Sequence, residues 1–145
     1  MAPLFDIGPF DLRQHKDQVA ALWKEVFGYA APHNAPELAI AKKVAVADGL
    51  FFVALENSTV VGTVMAGYDG HRGWIYSLAV EVNRREKGIG SALLRHAEKQ
   101  LSARGCVKIN LQIMHGNEGV ESFYLAHGYV AEKRISMGKV LPRNT

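Results

Sequence analysis

The sequence is poor in cysteine, in long apolar runs and in charge of one sign, and each shortage closes off a class of protein. Its one cysteine, Cys106, cannot form an internal disulfide, and no group of Cys and His residues has the spacing of a zinc site. Metal ligation is therefore not expected, and a reducing cytoplasm is the natural compartment. Nowhere do eighteen apolar residues follow one another, and the opening Met1-Ala2-Pro3-Leu4-Phe5-Asp6 lacks a basic stretch followed by an apolar one. Neither export nor membrane spanning is expected. The formal net charge is only +3, and both signs are interspersed. The local concentration at Arg84, Arg85 and Lys87, beside Glu86, is too small to argue for nucleic acid, and no arginine-rich arm or aromatic RNA-binding motif accompanies it. It could instead meet a small anionic ligand.

No repeat, low-complexity tract or linker breaks the remaining sequence. Residues 1–145 are accordingly expected to form one domain, with 48% apolar residues to supply a core. Leu4 to Ile7 is a short first strand before Gly8-Pro9. Val19, Leu22, Trp23, Val26 and Phe27 recur at helical spacing, which predicts a helix from about Asp11 to Phe27, ended by Gly28. Tyr29 to Pro36 is a loop by its prolines and asparagine, and a second helix runs to about Ala47. The period then changes to two. Leu50 to Leu55 and Val60 to Tyr68 flank Glu56-Asn57-Ser58-Thr59 as a hairpin, and Asp69 to Gly73 turns into a strand from Trp74 to Val80.

Ile89, Leu93, Leu94, Ala97 and Leu101 describe an amphipathic helix over Gly88 to Arg104, closed by Gly105. Val107 to Met114 reads as a further strand, Asn117 to His127 as a helix ended by Gly128, and Tyr129 to Val140 as a final strand or hairpin arm. The order predicts a mixed α/β fold with a largely antiparallel sheet and helices on both faces.

The junction between the strand at Trp74 to Val80 and the helix at Gly88 carries Arg85-Glu86-Lys87-Gly88-Ile89-Gly90. A helix N-terminus exposes unpaired N–H groups and a partial positive charge, and glycines let a phosphate come close to them. Arg85 or Lys87 could add a charge-assisted contact. A glycine pair alone often serves only a tight turn, so context decides. A P-loop would need Lys-Ser/Thr after the second glycine, and the third glycine position of a Rossmann fingerprint is held by Leu93.

Leu78-Ala79-Val80, Arg85-x-x-Gly88-x-Gly90 and Ala92-Leu93-Leu94 together resemble the acetyl-CoA signature of the GNAT acetyltransferases. Asn117-x-x-Val120-x-x-Phe123-Tyr124-x-x-x-Gly128-Tyr129 resembles the later motif of the same family, in which an asparagine precedes a tyrosine-bearing helix. The likeness is to small bacterial single-domain members. It implies the acyl-CoA N-acyltransferase fold, with the sheet splayed between its fourth and fifth strands, and acetyl-CoA as cosubstrate.

The resemblance further implies cofactor contacts at Leu78, Ala79, Val80, Arg85, Glu86, Lys87, Gly88, Ile89, Gly90 and Asn117. Tyr124 takes the part of general acid toward the departing thiolate. The chain departs from the family at Val82, where many relatives have proline, and at Glu86, where they have glycine. Glu86 either turns away and offers only its N–H, or weakens cofactor binding.

The implied reaction is direct attack by a primary amine on the thioester, with no enzyme nucleophile, so Cys106 reads as a core thiol. The expected acceptor is a small molecule. A protein N-terminus or lysine, and a non-catalytic CoA-binding sensor, stand as alternatives. The inward strand candidates for a base, Trp74, Tyr76 and Gln112, are not carboxylates. A water relay comes first in order, then His71, Asp69 and Glu81. The acceptor pocket would draw on Tyr29 to Pro36 and on Tyr68, Asp69, His71, Trp74 and Tyr76. Family members are often dimers, and Ser136 to Val140 could pair across a two-fold axis.

Overall fold

A computed structural model describes residues 4–28, 35–114, 117 and 119–142. The chain divides into two compact units, Met1–Leu111 and Gln112–Thr145. The first holds a five-stranded open sheet in sequential order, β1 (Asp6–Pro9), β2 (Phe51–Glu56), β3 (Thr59–Tyr68), β4 (Gly73–Val80) and β5 (Ile109–Asn110). The first four strands are antiparallel neighbours, and β4 and β5 are parallel.

Alternation along the strands sends consecutive residues to opposite faces, and each face is covered by helix. On one side lies α1 (Leu12–Phe27), with α2 (Pro36–Val46) against it. Trp23 of α1 stacks on Phe51 at 5.8 Å between ring centroids, and Phe51 stacks on Phe10 at 4.2 Å. Val19, Leu22 and Ile40 complete this side of the core. The helix begins where Asp11 accepts from the Gln14 N–H at 2.9 Å, an ordinary N-cap, and ends at Gly28 with φ +63°.

The opposite face is covered by α3 (Ile89–Ala103), whose buried stripe Ile89, Leu93, Leu94, Ala97 and Leu101 is the one its periodicity predicts. Gly62 of β3 lets this helix come close: a methyl group there would stand 2.9 Å from Leu93 Cδ1 and 3.1 Å from the Ala79 carbonyl. A Schellman arrangement closes the helix, the Gly105 N–H going to Ser102 and the Cys106 N–H to Leu101. Cys106 is half-buried and its thiol donates to the Lys108 carbonyl, consistent with a packing role.

In the second unit, α4 (Gly119–Ala126) ends in the same way, with the Tyr129 N–H bonded to the Tyr124 carbonyl at 3.1 Å. The two rings pack edge to face at 5.7 Å across that closure, the apolar contact such a motif commonly carries.

Two expectations about strands are corrected. The strand expected over Val107 to Met114 is reduced to Ile109–Asn110, paired only with Gly73 and Trp74. Residues 129–142 form no strand, so the final arm expected at Tyr129 to Val140 is not part of a ladder. In both stretches the apolar-polar alternation is present, but a strand also needs a neighbour with which to share hydrogen bonds. No helix among the described residues is long and apolar enough to cross a membrane.

Candidate active site

The sheet opens along β4. Beyond Trp74 no ladder pair joins this strand to β5. On its other side, the Glu81 N–H donates to the Val61 carbonyl at 2.9 Å and Ala79 stands opposite Thr63. In an antiparallel ladder alternate residues face alternate edges, so Leu78 and Val80 turn their backbone groups to the open edge. The Val80 carbonyl accepts from Arg85 Nε at 3.3 Å on that edge. Leu78 and Val80 are half-buried and Ala79 is buried, which leaves the edge lined by backbone and short apolar side chains.

The ladder also slips between Thr63 and Met65: Thr63 pairs with Ala79 but Met65 with Tyr76. Ser77 and Leu78 therefore share one opposing residue, Val64, and Ser77 has φ +50°. This is a β-bulge, which re-aims the groups that follow it.

After β4 the chain makes a single 3₁₀ turn at Val82–Arg84 and reaches α3 through an exposed loop. Arg84 is held by Glu56, with Nε 3.1 Å from the carboxylate, so it ties the loop to the end of the β2–β3 hairpin. Arg85 and Lys87 are exposed. Gly88 has φ +83° and is the N-cap of α3, with no side chain to cap it. The first carbonyl bonded within the helix is that of Gly88, which accepts from the Ala92 N–H at 3.0 Å. The amides of Ile89 and Gly90 thus stand in the first turn, where an anion is stabilised by unpaired donors and the helix dipole.

Glu86 is exposed at φ +66°, a left-handed position. It occupies a backbone conformation suited to the glycine that relatives place there. Leu78, Ala79, Val80 and Arg85 to Gly90 are thereby brought together, on one continuous strand edge, turn and helix start.

Asn117 and Tyr124 lie in the second unit. Asn117 is exposed and its carbonyl accepts from the Val120 N–H at 3.1 Å, initiating α4. Tyr124 is 9% exposed, between Phe123 at 5.2 Å and Tyr129. Burial pushes its hydroxyl up to about 12, because the phenolate would be poorly solvated.

The candidates for a base fare differently. Asp69 accepts from the His71 and Arg72 amides at 2.7 and 2.8 Å, closing its own turn. Those bonds, Arg72's first, hold its carboxyl below the ordinary range and make it a poor proton acceptor. Tyr76 is raised by burial and by the charge of Asp69, so it stays neutral. Gln112 donates to the Ser136 hydroxyl. His71 is exposed and Glu81 half-buried. For the acceptor pocket, residues 29–34 of the expected loop lie outside the described residues, and the Tyr68 hydroxyl is turned to the Gly70 and Gly105 carbonyls.

Sequence reasoning missed the bulge and the residues behind it. The one available signal was Thr63, a polar residue inside the apolar run from Val60 to Ala66.

A model of the acetyltransferase (GNAT) family matches residues 16–129. An acetyltransferase of Yersinia pestis (strain Pestoides F) is 40% identical over 125 residues, covering 86% of this chain and 88% of the relative. Among solved structures, an aminoglycoside N-acetyltransferase in complex with CoA superposes with a TM-score of 0.77 at 18% identity, covering 97% of each chain. PaiA N-acetyltransferase of Thermoplasma acidophilum, in complex with coenzyme A, superposes with a TM-score of 0.74 at 20% identity, covering 93% of this chain and 94% of its own. At such identities the structures attest the shared fold.

Proposed function

The chain belongs to the GNAT acetyltransferase family, and on that premise we propose that it transfers an acetyl group from acetyl-CoA to a primary amine of a small molecule. The observation that carries this reading is the uncapped start of α3, reached from the open edge of β4 through one 3₁₀ turn and a short exposed loop. A pyrophosphate and a pantetheine arm need such donors in that order. We read residues 1–145 as one catalytic domain; the family match, which runs through both compact units, supports this.

The pyrophosphate is received by the amides from Glu86 to Gly90, with the Arg85 and Lys87 side chains adding charge from the solvent side. The pantetheine amides pair with the open backbone of Leu78 and Val80, on either side of Ala79. The thioester carbonyl then lies near the bulge, where a strand N–H stabilises the negative charge that its oxygen gains. The amine nitrogen attacks the carbonyl carbon, the C–S bond breaks, and the sulfur leaves as thiolate. The proton lost by the amine passes to water, since the nearest carboxylate of the turn, Asp69, is a weak base.

Tyr124 donates a hydrogen bond to the departing sulfur. With its hydroxyl near 12 and a thiol near 8.5, complete proton transfer is uphill by ~3.5 units, or ~5 kcal/mol. It acts as a neutral donor, and the thiolate takes its proton from solvent. Asn117 contributes at the start of α4.

A small-molecule acceptor is supported by the aminoglycoside N-acetyltransferase among the structural relatives. A cytoplasmic location follows from the cosubstrate, and dimerisation through Ser136 to Val140 is tested by sedimentation. Amine-dependent release of thiol from acetyl-CoA tests the reading. Release with small amines supports it, release only with peptides moves the acceptor to a protein, and CoA binding without release makes the protein a sensor.

A further inference from the structure

Behind the β4 bulge lies a polar chain that the reaction as described does not use. Trp23 Nε1 donates to Thr63 Oγ1 at 2.8 Å, and Thr63 Oγ1 lies 2.9 Å from the Ser77 carbonyl. Thr63 is fully buried and Trp23 is 1% exposed. The direction of these bonds is fixed: an indole N–H can only donate, so the threonine oxygen accepts from it and its single proton is left for the Ser77 carbonyl. The contact joins α1 through β3 to the one residue of β4 with positive φ.

Ser77 is where the ladder loses register, so its carbonyl takes a side-chain hydroxyl as partner. On one side of the bulge Ala79 is paired with Thr63, and on the other Tyr76 is paired with Met65. Between them the orientation of the Ser77–Leu78 peptide is set by the Thr63 hydroxyl. That peptide carries the Leu78 N–H.

We propose that Thr63, anchored by Trp23, is a positioning residue that fixes the Ser77–Leu78 peptide so that the Leu78 N–H faces the thioester carbonyl. The inference rests on the acetyl transfer proposed above. It assigns a part in the reaction to two core residues on the α1-covered face of the sheet. Because Ala79 and Glu81 keep their own ladder bonds, the strand beyond the bulge remains able to pair with the pantetheine arm. Loss of Thr63 should thus damage the turnover step more than cofactor binding.

Thr63→Val keeps the shape and removes both bonds, whereas Thr63→Ser retains the hydroxyl. With acetyl-CoA and an accepted amine, Thr63→Val should lower kcat about tenfold while KM for acetyl-CoA stays within about twofold, the pattern of an interaction made in the transition state. Thr63→Ser should remain within about threefold of the parent in both. Hydrogen exchange over Ile75 to Val80, read without substrate, should quicken about fivefold or more in Thr63→Val and not in Thr63→Ser.

Should Thr63→Val fail to fold, Trp23→Phe, which releases the anchor and leaves the threonine, is expected to show the same kcat loss to a smaller extent. The companion change Ser77→Gly suits the positive φ, and added to Thr63→Val it should restore part of kcat. A folded Thr63→Val with kcat within about twofold of the parent would overturn the inference, whatever its melting temperature. If the parent protein releases no thiol with any amine, the proposed function fails; the exchange rates then decide alone whether Thr63 holds the bulge, and equal rates in parent and Thr63→Val reject it.

Discussion

At the scale of single residues, Tyr124 and Glu86 carry the sharpest expectations. The motif around Tyr124 marks it as a candidate donor to the departing thiolate, but the raised value of its hydroxyl was not legible, since burial under Phe123 and Tyr129 is a tertiary property. Its hydroxyl stays protonated up to about 12, because burial disfavours the phenolate. A phenol acting as donor should therefore add no basic limb to kcat below about pH 10, measured as a pH–rate profile. Linkage gives the matching sign for stability: the raised value stabilises fully below the unfolded tyrosine value near 10, and that contribution fades as pH rises toward 12.

Tyr124→Phe removes the donor and should lower kcat by about 10- to 100-fold with little change in KM for acetyl-CoA. Unchanged turnover would take Tyr124 out of the mechanism. For Glu86, the backbone already holds the left-handed conformation a glycine would take, so the acidic side chain, if turned toward the phosphates, is what opposes ligand binding. Glu86→Gly should bind CoA a few-fold more tightly by calorimetry. Its stability should change by no more than about 1 kcal/mol, as relief of the positive φ is offset by a freer unfolded chain. Equal affinity would mean that the carboxylate points clear of the phosphates.

At the scale of elements, periodicity made α1, the β2–β3 hairpin and α3 readable. Each has a buried stripe or face set by its own residues, and each stops at a glycine or turn with a physical reason to be there. The bulge at Ser77 was not readable, because a register slip is a property of two strands counted against each other. The same reason hid the shortening of β5: alternation in Val107 to Met114 is a local fact, while pairing needs a partner edge.

The contact between α3 and β3 sets where the helix start proposed to receive the phosphates sits. Gly62 is its closest point, and Gly62→Ala would force Leu93, Ile89 and the Ala79 backbone apart. It should destabilise the fold by about 1–3 kcal/mol, read by denaturant unfolding. Displaced from β4, the helix start should also lose affinity for CoA. The Arg84–Glu56 pair is partly exposed, and Glu56→Gln should cost less than about 1 kcal/mol.

At the scale of the whole molecule, the resemblance to the family rests on two separated motifs, one in each compact unit, and the family match runs through both. The cofactor was legible because its phosphates demand a particular backbone, which glycines and a helix start betray in one stretch of chain. The acceptor was not, because residues such as Tyr68, Trp74 and Tyr76 serve packing as readily as recognition. The measurement that bears most directly on the account is thiol release from acetyl-CoA by the intact protein across a panel of small primary amines, with mass spectrometry of the products. Amine-dependent release matched by an acetylated product is the expected result. Tight CoA binding with no release from any amine or peptide offered would contradict it.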